Sequence, residues 1–217
     1  MPTGSGSGFP NDPLAMSIWR GKDPLILASQ SRARRMLLAN AGLRCDAIAA
    51  DIDERAVQKA SGFATPGDIA GLLAREKALA VSSQMPSRFV VGADQTLALG
   101  HRLFSKPAGR TQAADQLRAL AGGTHELHSA VAVAHEGKIL FADVGVARMT
   151  MRRLGDSEIE AYLDQAGEAV TTSVGAYQLE GLGVHLFERI DGDHFTILGL
   201  PLLQLLAFLR RENLLAV

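Results

Sequence analysis

The chain predicts an α/β fold built on a mixed, twisted sheet with flanking helices. Two short apolar runs, Leu25–Ala28 and Phe89–Ala93, read as strands covered on both faces. Helical segments alternate with these runs through the first half. Two longer strand-like segments, about 126–134 and 139–149, then flank Glu136-Gly137, the pattern of an antiparallel hairpin. Strands alternating with helices and then followed by hairpins make a mixed sheet rather than an all-parallel one.

Residues 1–22 are rich in Gly, Ser and Pro and carry no apolar period. They read as a flexible extension, with Met16 a candidate natural start, ahead of a domain spanning 23–217. After the first strand, a helix runs from about Arg32 to Ala41, with Ser31 placed to cap it and Gly42 to end it. A second strand near Cys45–Ala50 leads into an acidic loop, Asp51-Ile52-Asp53-Glu54. Thr65-Pro66-Gly67-Asp68 announces a helix to about Val81, with Thr65 as N-cap and proline at the first helical position. The Phe89 strand delivers Asp94-Gln95-Thr96 at its carboxyl end. Gly100 suggests a turn, and Pro107 forces Lys106 into an extended conformation. Helices follow at about 111–120, closed by Gly122-Gly123, and at about 157–165. Beyond the Gly-rich stretch 175–183, a second hairpin turns at Asp191-Gly192, and Pro201 opens a terminal helix to about Arg211.

Composition limits the function. The 217 residues are 47% hydrophobic and 21% charged, with a formal net charge of -1. A nucleic-acid binder normally carries a clear basic excess, so nucleic acid is not expected as a partner. No apolar stretch approaches the roughly 20 residues needed to cross a bilayer, and there is no signal-peptide core. No membrane association is expected. The single cysteine, Cys45, cannot form an internal disulfide, and a cytoplasmic location follows as the expectation.

Ligands of open α/β sheets collect just past the carboxyl ends of the strands. Here the first strand leads to Ser29, Ser31 and arginines, and the second to a carboxylate, a combination suited to phosphate chemistry. Arg34 and Arg35 stand in the first turn of a helix, where the dipole is already positive. A bound anion would relieve this, and a solvated arginine face is the equal alternative. Lys77 lies on one stripe with Ile69, Leu73 and Val81, at successive i+4 steps. An ammonium there needs a counter-charge, unless the side chain snorkels to water. Asp94 is either functional or a turn former. Glu54, with Asp51 and Asp53, is either a solvated acidic run or, together with Asp94, a set of oxygens for Mg²⁺. His125 and His128 have helical metal spacing but fall in a strand, where i and i+3 face opposite sides. Gly181-x-Gly183 lacks the rest of a dinucleotide fingerprint.

Taken in order, several blocks resemble the Maf family of nucleoside triphosphate pyrophosphatases. They are Leu25-Ile26-Leu27-Ala28-Ser29-Gln30-Ser31, Asp51-Ile52-Asp53-Glu54, Ala74-Arg75-Glu76-Lys77-Ala78 and Gly92-Ala93-Asp94-Gln95. Lys106-Pro107, Gly175-Ala176-Tyr177, Glu180-Gly181 and Gly199-Leu200-Pro201-Leu202 continue the match. The resemblance implies a fold like that of inosine triphosphate pyrophosphatases, with two lobes around a cleft. It implies cleavage of a nucleoside triphosphate between its α and β phosphates with a divalent cation, Mg²⁺ or Mn²⁺, and it leaves a homodimer open. By the same carry-over Asp94 is the catalytic base and Glu54 lines the site; the residues themselves leave Asp94 either base or, with Glu54, metal ligand. Ser29, Arg34, Lys77 and Lys106 face the phosphates. Three positions separate the family's branches, and this chain has Ala33, Gln95 and Glu180 there. Gln95 and Glu180 resemble the branch acting on 7-methyl-GTP, as does Phe187-Glu188-Arg189. Ala33 matches neither branch, and Arg32 stands where the family usually has proline. A carboxylate at 180 suits the donor edge of guanine, whereas a dTTP- or UTP-directed site typically has glutamine there. The rival readings are a dTTP/UTP or broad non-standard nucleotide pyrophosphatase and a non-enzymatic nucleotide-binding regulator of cell division; retention of Asp94 beside the lysines counts against the last.

Overall fold

A computed structural model describes residues 18–217. Seven strands form one sheet. They are β1 (Leu25–Leu27), β2 (Cys45–Ala47), β3 (Val90–Leu99), β4 (Arg102–Phe104), β5 (Thr124–His135), β6 (Lys138–Met151) and β7 (Phe187–Asp191). Their order is β2-β1-β3-β5-β6-β7, with β4 paired to β3. β2, β1 and the start of β3 are parallel, and the remaining pairs are antiparallel, so the expected mixed sheet is present. The helices are α1 (Arg32–Asn40), α2 (Glu54–Ser61), α3 (Pro66–Gln84), α4 (Arg110–Leu120), α5 (Asp156–Ala166), α6 (His194–Ile197) and α7 (Leu202–Arg211).

Local chemistry sets the boundaries. The Ser31 side chain caps α1 at the Arg34 N–H, and the Thr65 side chain caps α3 at the Asp68 N–H, both as expected. The β5–β6 turn places Glu136 and Gly137 at φ of 51° and 70°, the left-handed pair that matches a hairpin's twist. α7 buries Leu202, Leu205, Phe208 and Leu209, and Phe208 stacks on Phe141 at 4.9 Å. Each such side chain contributes about 1.5–3 kcal/mol relative to exposure.

Four expectations need correction. Asp53 and Glu54 do not lie in a loop: Asp53 is the N-cap of α2, accepting from the Ala56 N–H at 3.0 Å, and Glu54 is its first residue. α2 buries no residue completely, so it lacks the apolar stripe that would have announced it. β3 does not stop at Ala93. It runs on to Leu99 because β5 still pairs it from Val90 to Ala98 after β1 has ended. The second hairpin is absent, since Asp193 accepts from the Phe195 and Thr196 N–H groups and starts α6 immediately after β7. The packed chain also begins before Asp23. Trp19 bridges Leu215 and meets Phe89 edge-on at 6.0 Å. Met16 and the rest of the expected extension up to residue 17 lie outside the described residues.

Two large core clusters share β3 and β5. One holds Leu25, Leu27, Val91, Ala93, Val131 and Val133 against α1 and α7. The other holds Leu97, Leu127, Met149 and Tyr177 against α4 and α5. Along β3 the polar residues Asp94, Gln95 and Thr96 fall between Ala93 of one cluster and Leu97 of the other. This division fits the expected two lobes.

Candidate active site

Alternation along β3 sends Gly92, Asp94 and Thr96 toward α3, and Gln95 to the opposite face. α3 approaches closely because small residues line the contact: Ala70, Ala74 and Ala78 pack on Ala130, Ala132 and Ala134 of β5. A Cβ added to Gly92 would collide with the Ala74 carbonyl and lie 2.7 Å from the Ala78 nitrogen. This approach carries Lys77 to Asp94.

Lys77 Nζ donates to Asp94 Oδ1 at 2.6 Å and lies 2.7 Å from Glu54 Oε1. The side chains of Lys77 and Asp94 are 12% and 11% exposed, whereas Glu54 is 51% exposed. The stripe anomaly therefore ends in an ion pair and not in a snorkelling lysine. One ammonium bridges two carboxylates from different elements, and Asp94 Oδ2 carries no hydrogen bond among the described residues.

Arg34 enters from α1. Its Nε donates to the Gly199 carbonyl at 2.8 Å, and its Nη1 donates to Ser29 Oγ at 3.1 Å and to the Ala93 carbonyl at 2.7 Å. Burial lowers the guanidinium pKa from its ordinary value, while the charges of Asp94 and Glu54 raise it. Arg34 is thus an anchored cation joining α1, β3 and the Gly199 turn, not part of a solvated face. Ser29 Oγ also accepts from the Ser31 N–H at 3.2 Å.

Gln95 Nε2 donates to Ser129 Oγ at 2.9 Å and to the Ile197 carbonyl at 3.0 Å. It holds the α6 segment against the sheet. Lys106 and Glu180 are exposed and, among the described residues, make no ion pair or side-chain hydrogen bond. Ala33 is half-buried on α1. The structure thus unites Ser29, Arg34, Glu54, Lys77 and Asp94, and leaves Lys106 and Glu180 on neighbouring loops without a contact to that centre.

Sequence reading missed four groups. Ser129 and the Thr196 carbonyl, joined at 2.6 Å, complete the Gln95 network, and no local pattern marks them. The Gly199 carbonyl had no assigned part. Gln116 is buried on α4 beside Ala113, Leu117 and Leu120, at the i, i+3, i+4, i+7 positions. That is the same kind of anomaly that marked Lys77.

Known proteins match this chain in sequence over nearly all of its length. A family model described as Maf-like protein covers residues 24–212. A nucleoside triphosphate pyrophosphatase of Bradyrhizobium diazoefficiens is 73% identical over 202 residues, covering 93% of this chain and 100% of the relative. One of Rhodopseudomonas palustris is 68% identical with the same coverage. A 7-methyl-GTP pyrophosphatase of Brucella abortus is 51% identical over 191 residues, 87% of this chain and 96% of the relative. The family match spans every residue of the Lys77 centre, and the chain belongs to the Maf family.

Proposed function

We propose that the Asp94 centre hydrolyses a nucleoside triphosphate between its α and β phosphates with a divalent cation, and that 7-methyl-GTP is a preferred substrate. The coarse activity follows from the family and its relatives: the chain is a nucleoside triphosphate pyrophosphatase, a hydrolase of phosphoric anhydrides. The observation that carries the finer reading is Lys77 Nζ, held within 2.7 Å of both Asp94 and Glu54.

The Lys77 ammonium occupies the point where the Glu54 and Asp94 oxygens converge, and two carboxylates already arranged around a positive charge support a metal bound beside it. Hard oxygen donors of this kind suit Mg²⁺ or Mn²⁺, which takes one or two carboxylates together with substrate phosphates. Glu54 and Asp94 would hold the ion, and phosphate oxygens would complete its shell. Once bound, it supplies charge neutralisation on the triphosphate. Lys77, Lys106 and the anchored Arg34 add cations around the same oxygens, and such preorganised charge is what lowers the barrier to phosphoryl transfer. Asp94, with Oδ2 unengaged, accepts a proton from the attacking water.

Gln95, Glu180 and the Brucella abortus relative support 7-methyl-GTP. The Glu180 carboxylate accepts from the N1–H and N2 amino edge of guanine and suits the positive charge of a 7-methylated ring. Ala33 offers no stacking surface, so the preference over UTP and dTTP is expected to be modest.

The test is product analysis across 7-methyl-GTP, GTP, UTP and dTTP with Mg²⁺ or Mn²⁺. Pyrophosphate and a nucleoside monophosphate are expected, fastest from 7-methyl-GTP, with activity abolished by chelator. Release of orthophosphate would contradict α–β cleavage, and faster turnover of UTP or dTTP would contradict the base assignment.

A further inference from the structure

The Gly175-Ala176-Tyr177 turn, three residues ahead of Glu180, has a costly backbone. Gly175 stands at φ 78°, and Ala176 at φ 61°, a left-handed conformation that a residue with a Cβ adopts reluctantly. Such strain persists only where the surroundings enforce it. Three buried or half-buried side chains do so. Gln116 Oε1 accepts from the Gly175 N–H at 3.1 Å, Tyr162 donates to the Ala176 carbonyl at 3.2 Å, and the Tyr177 hydroxyl bonds His125 Nε2 at 2.7 Å.

Gln116 has a second bond. Its Nε2 donates to the carbonyl of Ser105, the residue before Lys106, at 2.8 Å. One buried amide, 4% exposed, therefore fastens the loop carrying Lys106 to the turn leading to Glu180. A glutamine on an apolar helix stripe is costly to bury unless both ends of its amide are used, and here both are. Simple packing of α4 would be served by leucine or methionine.

We propose that Gln116 is a positioning residue that couples the phosphate-facing Lys106 loop to the base-facing Glu180 turn. Its acceptor end sets the base contact and its donor end sets the phosphate contact. The inference rests on the roles given above to Lys106 and Glu180.

Two variants separate the two ends. Gln116→Glu keeps an acceptor for Gly175 and, once ionised, sets a second acceptor against the Ser105 carbonyl in place of the lost donor; assays across pH 7 to 9 follow a carboxyl whose pKa burial raises. Gln116→Met, of similar bulk, loses both. The readout is the Kd of the non-hydrolysable α,β-methylene analogues of 7-methyl-GTP and UTP, measured beside the KM and kcat of the natural nucleotides. Gln116→Glu is expected to weaken both analogues equally, by at least about fivefold, since it loses one hydrogen bond and sets two acceptors against each other. Gln116→Met is expected to weaken 7-methyl-GTP more than UTP, in Kd and in KM alike. A purely structural role would lower the active fraction, and so kcat, alike for every nucleotide. The proposal is overturned if both variants bind within about twofold of the parent, or if Met and Glu weaken the two analogues by one common factor. Should Gln116→Met fail to fold, Gln116→Glu alone decides, since unchanged binding of either analogue contradicts the donor role. A parent protein that binds these analogues but releases no pyrophosphate would instead remove the activity assigned above.

Discussion

His125 is fully buried, with its ring against Tyr177 and Phe187 and its Nδ1 without a partner among the described residues. Burial lowers its pKa from 6.5 to about 4. The folded protein therefore keeps this imidazole neutral down to about pH 4, whereas the unfolded chain protonates it below about pH 6.5. Between those values the unfolded state binds more protons, so this residue's contribution to stability is present above pH 6.5 and is lost as the pH falls toward 4. The full effect is about 3 kcal/mol. Urea midpoints at pH 7 and pH 4.5 should drop further for the parent than for His125→Gln, which keeps a polar group facing Tyr177 without a titrating ring. An equal drop in both proteins would show that His125 is not the group responsible.

Among the elements, the contact of α3 with β3 decides whether the site exists. Gly92 leaves no room for a Cβ against the α3 backbone, and the Lys77–Asp94 contact depends on that closeness. Gly92→Ala must push the helix outward. A destabilisation of about 1–3 kcal/mol is expected from overpacking, read as a lowered urea midpoint. Turnover should fall together with it, by more than the folded fraction explains, because the ammonium is drawn away from Asp94. Gly109→Ala is the control: an added Cβ there meets nothing within 4 Å. Full activity in folded Gly92→Ala would show that the site does not depend on this approach.

Across the whole molecule, the parts legible in the sequence are those whose local chemistry agrees with the fold. The caps Ser31 and Thr65, the Glu136-Gly137 turn and the stripe interrupted by Lys77 all read correctly because each signal lies within a few residues. The misread parts depend on distant partners. Asp94 looked like a strand end, yet β5, some 36 residues further on, continues the ladder past it. The Asp191-Gly192 turn lost to the Asp193 cap. Glu54 and Lys77 could be marked singly, but that one ammonium serves both Glu54 and Asp94 is a property of three elements meeting. Gln116 carried a readable anomaly that no motif singled out. The family resemblance supplied the order of the blocks, and the geometry supplied their contacts.

Asp94, held by Lys77 and left open at Oδ2, is proposed to activate the water that cleaves the α–β anhydride. The most direct test is the kcat for pyrophosphate release from 7-methyl-GTP by Asp94→Asn, which keeps the side chain's shape but removes its charge and basicity. A fall of about 100-fold or more is expected, within the range for loss of a general base, with circular dichroism unchanged. Turnover within a few fold of the parent would contradict the claim and leave Asp94 as a structural partner of Lys77.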